Sequence, residues 1–208
     1  MEEIIGSNQK FFTFLIKTDG IEMCNKSDNS IWPMILVINE IPLEQRISFD
    51  NIIIAGLSVA NGKPNLNGLI WMKAFINMQI LIAGVFDKPA RSCVLNFTSS
   101  TGYFSCLKCL QKGERVETEL GTTQTYPFYS KYPDGPKRTS ENSKQHLNEC
   151  LESSKKCYGV KDKSILGDLK YYCPVQSTSI DSMHTFFLGV VKIFLIIGSI
   201  ILKQSLIR

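Results

Sequence analysis

An α/β fold is what the sequence predicts, on three observations. Apolar runs of strand length, broken by turn residues, fill the first sixty positions, and a helical periodicity follows them. A further apolar run then leads into Asp87-Lys-Pro, a helix start. With 208 residues, 44% of them apolar and 20% charged, the chain is long enough to bury one main core, and its composition excludes disordered, collagenous and coiled-coil classes. A net charge of +4 neither announces nor opposes nucleic-acid binding, so partners must be argued from sites. Glu2 and Glu3 stand where a secretory signal would carry basic residues, and seven cysteines is an odd number. A reducing compartment, with free thiols or metal ligands rather than a disulfide framework, is the expectation.

Phe11 to Thr18, rich in aromatic and β-branched residues, predicts a buried strand that stops at Asp19-Gly20, a tight-turn dipeptide, with Ile21 to Cys24 as a short return strand. Ile31 to Ile38 predicts the next strand, with Pro33 near its start, and Ile52 to Leu57 a fourth. Beyond Asn61-Gly62-Lys63-Pro64, the apolar spacing of Leu66 to Met78 predicts an amphipathic helix capped by Asn65. Ile80 to Phe86 then predicts a central strand ending at Asp87, and Pro89 opens a helix over Ala90 to Phe97. From 99 to 164 apolar periodicity is lost, and Gly, Pro, Ser, Thr, Lys and Tyr dominate. That predicts an irregular insertion ordered by something other than a core, such as a metal.

After Asp181-Ser-Met-His184 the apolar stretch Thr185 to Leu202 approaches the length of a membrane span. Lys192 would lie near the bilayer centre at a cost of about 2.5 to 3.5 kcal/mol, and Gly189 and Gly198 weaken the segment further. A helix buried on most faces in the protein core is therefore the expectation, with a membrane anchor through 185–202 as the lesser alternative.

Three groups of residues could carry chemistry. Asp19 and Asp87 each end an apolar strand, where carboxylates brought together suit Mg²⁺ or Mn²⁺; Asp19-Gly20 alone would otherwise be only a turn. Cys106-Leu-Lys-Cys109 supplies two thiolates at the spacing of half a tetrahedral zinc site, with His184 favoured as a further ligand and His146, Cys150, Cys157 and Cys173 as alternatives. Asp181-x-x-His184 places both residues on one face of a helix start, where Asp181 would cap the helix. Lys108, Lys112, Arg115, Lys131, Lys137, Arg138 and Lys144 are basic residues of the insertion that could contact phosphates or equally form a solvated surface.

These pieces stand in a familiar order. Lys17-Thr-Asp-Gly20 is followed by Trp32-Pro33, Asn39-Glu-Ile-Pro42 with Arg46, Ala55-Gly-Leu57, Lys63-Pro64 and Asp87-Lys-Pro-Ala-Arg91. Gly102-Tyr-Phe-Ser-Cys106-x-x-Cys109, Gly159-Val-Lys161 and Asp181-Ser-Met-His184 with Leu188-Gly189-Val-Val-Lys192 complete the series. The whole resembles the transposase domain of CACTA (En/Spm-type) DNA transposons and their animal relatives, over about residues 10 to 195. The resemblance implies a ribonuclease-H-like mixed sheet with helices, a DDE/D metal-ion site for DNA cleavage and strand transfer, a zinc-knuckle insertion and a C-terminal apolar helix. It divides the chain into a first part of the catalytic core at 10–98, the knuckle insertion at 99–164 and a D-x-x-H segment with its helix at 165–208. Asp19 matches the first catalytic acid and Asp87 the second, at the end of the fold's fourth strand. Cys106 and Cys109 match the zinc pair, and Asp181 and His184 the D/C-x-x-H signature.

The implied cofactors are Mg²⁺ or Mn²⁺ and Zn²⁺. The implied partner is DNA at transposon ends, the location the nucleus with the cytoplasm as alternative, and a homo-oligomer is left open. The family's third acid has no counterpart, since no Asp or Glu follows Asp181. The sequence therefore predicts an incomplete copy that folds without turnover, with Asp181 the first substitute for the missing acid. Its rival is a non-catalytic, zinc-stabilised DNA-binding or interaction remnant.

Overall fold

The computed structural model describes residues 11–23, 29–62, 64, 80–119, 121–133 and 135–197. Strands β1 (Thr13–Thr18), β2 (Ile21–Glu22), β3 (Asn29–Ile38), β4 (Ile52–Asn61), β5 (Ile80–Phe86) and β8 (Thr178–Ile180) form one mixed sheet, and β6 (Glu114–Thr118) and β7 (Gly121–Thr125) form a separate hairpin. Helices α1 (Leu43–Arg46), α2 (Lys88–Val94), α3 (Ser140–Ser153) and α4 (Pro174–Ser177) lie between them. The predicted helix Leu66 to Met78, with its Asn65 cap, lies outside the described residues.

β1 is central. It pairs antiparallel with β3, whose far edge carries β4, and parallel with β5, whose far edge carries β8, again parallel. Strand order is thus β4-β3-β1-β5-β8. The carboxyl ends of β1, β5 and β8 all point the same way, so residues following those strands collect at one rim of the sheet.

One predicted feature is corrected there. Asp19-Gly20 is not a reversing turn, and β2 is not a return strand. Thr18 faces Met34 and Ile21 faces Ile31 on β3, so β2 continues β1 along the same edge in the same register. The ladder is interrupted only locally, where Asp19 Oδ1 accepts the Gly20 N–H at 2.8 Å. Glycine is required for packing: a Cβ at position 20 would lie 2.6 Å from the Trp32 indole, which folds over this point from the facing strand. The Trp32 Nε1–H in turn donates to Ser30 Oγ at 2.7 Å.

The core lies on one face of the sheet. Phe14, Ile16, Trp32, Met34, Leu36, Leu81 and Phe86 point into it and are covered by Ala90 and Val94 of α2, by Leu95 and Phe97, and by Ile165, Leu166 and Tyr172. Side chains of this size stabilise the fold by about 1.5–3 kcal/mol each when fully buried. α2 begins at Asp87, whose side chain accepts the Ala90 N–H at 2.7 Å, with Pro89 in the first turn. It ends at Asn96, whose φ of 48° lets the Phe97 N–H reach back to Ser92 O at 3.1 Å. The predicted helix Ala90 to Phe97 is therefore displaced toward the N-terminus by its cap.

The segment 99–164 is not wholly irregular, as its composition predicted, since it carries the β6–β7 hairpin and the 14-residue α3. α3 escaped notice because His146 and Cys150 are its buried residues, too few to write an apolar period. Its start is fixed by a reciprocal cap, Asn142 N–H to Thr139 Oγ1 at 3.2 Å and Thr139 N–H to Asn142 Oδ1 at 2.9 Å. Backbone contacts tie the segment to the core: Thr98 N–H to Gly159 O at 2.7 Å and Lys161 N–H to Asn96 O at 2.9 Å.

The C-terminal stretch departs from expectation in the opposite sense. Its described part is helical, a π-helix over Met183–Val191 continued through 192–197, but it is not buried in the core. Leu188 is 56% exposed and Phe194 69%. The helix leaves from β8, the edge strand, so the core face of the sheet is already behind it. Among the described residues no helix is long and apolar enough to cross a membrane.

Candidate functional site

Three aspartates stand one residue beyond three adjacent parallel strands: Asp19 after β1, Asp87 after β5 and Asp181 after β8. The registers Lys17 to Val85 and Phe86 to Ile180, carried on by two residues and by one, set all three in a single row across the sheet. Neighbouring strands lie about 4.8 Å apart, so the row brings the carboxylates within range of one another. Asp19 and Asp87 line a common pocket of about 290 Å³ together with Glu22, Ser30 and Trp32.

The electrostatics follow from that crowding. Burial, and then the charges of Asp19 and Asp181, push the pKa of Asp87 above the ordinary carboxylate value, against the opposing Ala90 N–H and His184. Burial acts on Asp181 in the same direction. It is outweighed by hydrogen bonds from the His184 ring and from the His184 and Met183 N–H groups, so Asp181 is held below its ordinary value. His184 Nδ1 lies 3.0 Å from Asp181 Oδ2. That hydrogen bond, and then the charges of Asp181, Asp19 and Asp87, raise the imidazole pKa. Asp181 Oδ1 accepts the Met183 and His184 N–H groups at 2.9 and 3.3 Å, which is the helix cap the D-x-x-H spacing predicts.

The thiols are differently disposed. Burial and the neighbouring Cys106 push the Cys109 thiol pKa up, and Arg138 opposes them. Buried Arg138 donates to Cys106 O at 3.3 Å and to Tyr158 O at 2.8 Å, and its guanidinium lies 4.9 Å from the centre of the Phe97 ring. Arg91, also buried, donates to Ser105 O at 3.1 Å. Lys108 turns inward to Val175 O. Among the described residues, then, the knuckle is held by cations bonded to backbone carbonyls. Lys108 and Arg138, two of the basic residues that could have met phosphates, are used inside the fold.

The other candidate zinc ligands have partners of their own, and Cys150 is buried on α3 within reach of Cys157. Cys157 donates to Glu149 Oε2 at 2.8 Å, and burial followed by that carboxylate pushes its pKa up to about 11. His146 stacks on Tyr158 with ring centres 4.2 Å apart, and Cys173 meets Ser140 Oγ at 3.0 Å. His184, expected to join Cys106 and Cys109, has Asp181 as its hydrogen-bond partner instead. Among the described residues no three of His, Cys, Asp and Glu stand close enough together to hold one metal ion as the side chains lie.

Sequence reasoning missed Glu22 as a pocket residue, because Asp19-Gly20 reads as a reversal that would carry it away. The position of Glu22 three residues after Asp19 becomes informative only once β2 is seen to continue β1. Comparison with known proteins adds no relative: no protein-family model, no curated protein and no solved structure matches this chain.

Proposed function

We propose that the carboxylate pocket is the metal-dependent phosphoryl-transfer site of a DDE/D transposase-like domain that cleaves DNA and transfers strands, with Asp181 as its third acid. The observation that carries this reading is the single row of Asp19, Asp87 and Asp181 beyond three adjacent parallel strands. The sheet order lends support. With β2 counted as the continuation of β1, β5 is the fourth strand in chain order, where a ribonuclease-H-like fold of this kind has its second acid.

The donor set has the chemistry of a hard-cation site, and an ion bound there would draw the carboxylates in, since among the described residues no three ligating side chains converge on one point as they lie. The set is all oxygen, and burial first, then the charges of Asp19 and Asp181, raises the Asp87 pKa. Asp19 and Asp87 each commit Oδ1 to a backbone N–H, so their Oδ2 atoms would hold Mg²⁺ or Mn²⁺. Bound there, the ion would offset charge on the attacking and leaving oxygens of a phosphodiester. The chain's own part is positioning. The sheet fixes the row, α2 orients Asp87 through the Ala90 N–H, and the His184 ring holds Asp181 through Nδ1. Cys106 and Cys109 supply two zinc sulfurs, which is half of a four-ligand site.

The test is cleavage of labelled transposon-end DNA by the 208-residue chain in Mg²⁺ or Mn²⁺, beside Asp19→Asn, Asp87→Asn and Asp181→Asn. Cleavage that each substitution reduces by about 100-fold or more is expected. No cleavage, or cleavage indifferent to these substitutions, would leave the non-catalytic remnant as the better reading. For the thiol pair, the expected result is one zinc per chain by elemental analysis, lost in Cys106→Ser.

A further inference from the structure

A second concavity lies beside the carboxylate pocket and differs from it in sign. It is a groove of about 1250 Å³ whose walls carry exposed Lys112, Arg115, Lys156 and Lys161 against one carboxylate, Asp162. It exceeds the roughly 300–1000 Å³ of small-molecule pockets, and its lining is as much polar as apolar where theirs is mostly apolar. Two tyrosines stand in it half-exposed. The Tyr103 ring has Lys112 Nζ at 5.8 Å and the Arg115 guanidinium at 5.9 Å from its centre. Tyr158 is backed by the stacked His146 and by Phe104, with ring centres 5.1 Å apart in the second pair.

The backbone under the groove is tightly turned. Of the three described non-glycine residues with positive φ, two line it: Asn96 at 48° and Tyr158 at 44°. At Tyr158 the conformation is that of a tight turn shared with Gly159 and closed by reciprocal backbone bonds between Cys157 and Val160, which fixes where the Tyr158 ring stands. Groove and carboxylate pocket are also contiguous. Pro89, in the first turn of α2, lines the pocket, and Ser92 and Cys93, in its later turn, line the groove. Gly62 and Pro64, two residues apart, lie one in each.

We propose that this groove binds an unpaired strand of DNA, its phosphates held by Lys112, Arg115, Lys156 and Lys161 and a base stacked on Tyr103, so that the strand leads toward the carboxylate pocket. The inference rests on the function proposed above, whose substrate it places. Spaced cations suit successive phosphates, and an exposed aromatic face between them suits a base freed from a duplex. An acidic peptide would use the cations and leave the ring idle.

The experiment is fluorescence anisotropy of a labelled oligothymidine bound by the 208-residue chain in EDTA, where no cleavage intervenes. Lys112→Ala/Arg115→Ala and Lys156→Ala/Lys161→Ala should each weaken binding about 10-fold. Tyr103→Leu should weaken it by a similar factor, and the dependence of log affinity on log salt should have a slope of roughly −3 in the unsubstituted chain. Unchanged thermal unfolding of the variants keeps the comparison valid, since all five side chains are at the surface. Unaltered affinity in both double variants, Tyr103→Leu binding as the native chain does, or equal competition by polyglutamate would overturn the proposal. The two readings fail separately. Cleavage in Mg²⁺ by a chain whose groove variants bind normally removes the groove alone, and groove-dependent binding without cleavage removes the nuclease alone.

Discussion

At the rim of the sheet Asp19, Asp87 and Asp181 stand in one row, with His184 and Arg91 among the opposing charges that reach Asp87. Beneath the knuckle the signs are reversed. Arg91 and Arg138 are buried and bonded to the carbonyls of Ser105, Cys106 and Tyr158, and the charge of Asp87 reaches Arg91. Burial pushes the Arg138 pKa down to about 10, so it is still charged at neutral pH. Strands are rigid enough to hold like charges together without help from the side chains. The segment 99–164 has little apolar surface to bury and depends on its buried cations for order. Removing charge should therefore have opposite consequences in the two places.

The largest effect is expected at Arg138. Arg138→Ala leaves two half-buried carbonyls without their donor and removes a cation from the Phe97 ring, which together should destabilise the fold by about 3 kcal/mol in urea unfolding. A loss below about 1 kcal/mol would mean that something else orders the knuckle, a metal at Cys106 and Cys109 being the first suspect. Next comes Gly20→Ala. Its methyl meets the Trp32 ring at 2.6 Å, and overpacking of this kind costs about 1–3 kcal/mol. Trp32 fluorescence should change with it, because the ring must move, and the Asp19 carboxylate beside it should shift as well.

Those two positions also show what could be read in advance. β5 was legible to the residue because Ile80 to Phe86 is a continuous apolar run bounded by Asp87, and a buried parallel strand needs no more than that. The pocket was half legible. Asp19 and Asp87 follow strands that any pattern reading finds, whereas β8 has three residues, of which only Thr178 is buried, so nothing local announces that Asp181 completes the row. The Asp19-Gly20 step misled for a physical reason: its glycine answers to the size of Trp32 across the strand pair rather than to a turn. The arginine clamps were hidden altogether, since a buried arginine and a solvated one are spelled alike.

A smaller effect separates local from tertiary order in the knuckle. Thr139→Ala removes one arm of the α3 cap and should cost about 1 kcal/mol in urea unfolding. A loss near that of Arg138→Ala would mean that α3 organises the segment and that the arginines follow.

The smallest effect is the most diagnostic, because its sign is unusual. The Asp87 pKa is raised above the ordinary 3.8, so the stability linked to its proton is present in full below that value and is lost as the pH rises through the folded one. At neutral pH the charged form is thus held against its neighbours. Asp87→Asn removes that charge while keeping an oxygen for the Ala90 N–H, and asparagine caps helices about as well as aspartate. Without metal the variant should be as stable as the native chain or more stable by up to about 0.5 kcal/mol at pH 7, and this difference should vanish as the pH approaches 4. His184 runs the other way. Its raised pKa contributes stability in full below 6.5, and the contribution disappears as the pH climbs through the folded value, so the native chain should lose stability as the pH rises above 6.5 and His184→Asn should flatten that limb. Adding Mg²⁺ or Mn²⁺ should then reverse the order of the first pair, raising the melting temperature of the native chain by mass action and leaving Asp87→Asn where it was. An Asp87→Asn chain that is less stable than the native one by more than about 1 kcal/mol without metal would show that the row is held by bonds to Asp87 rather than against its charge, and the contrast with Arg138 would collapse.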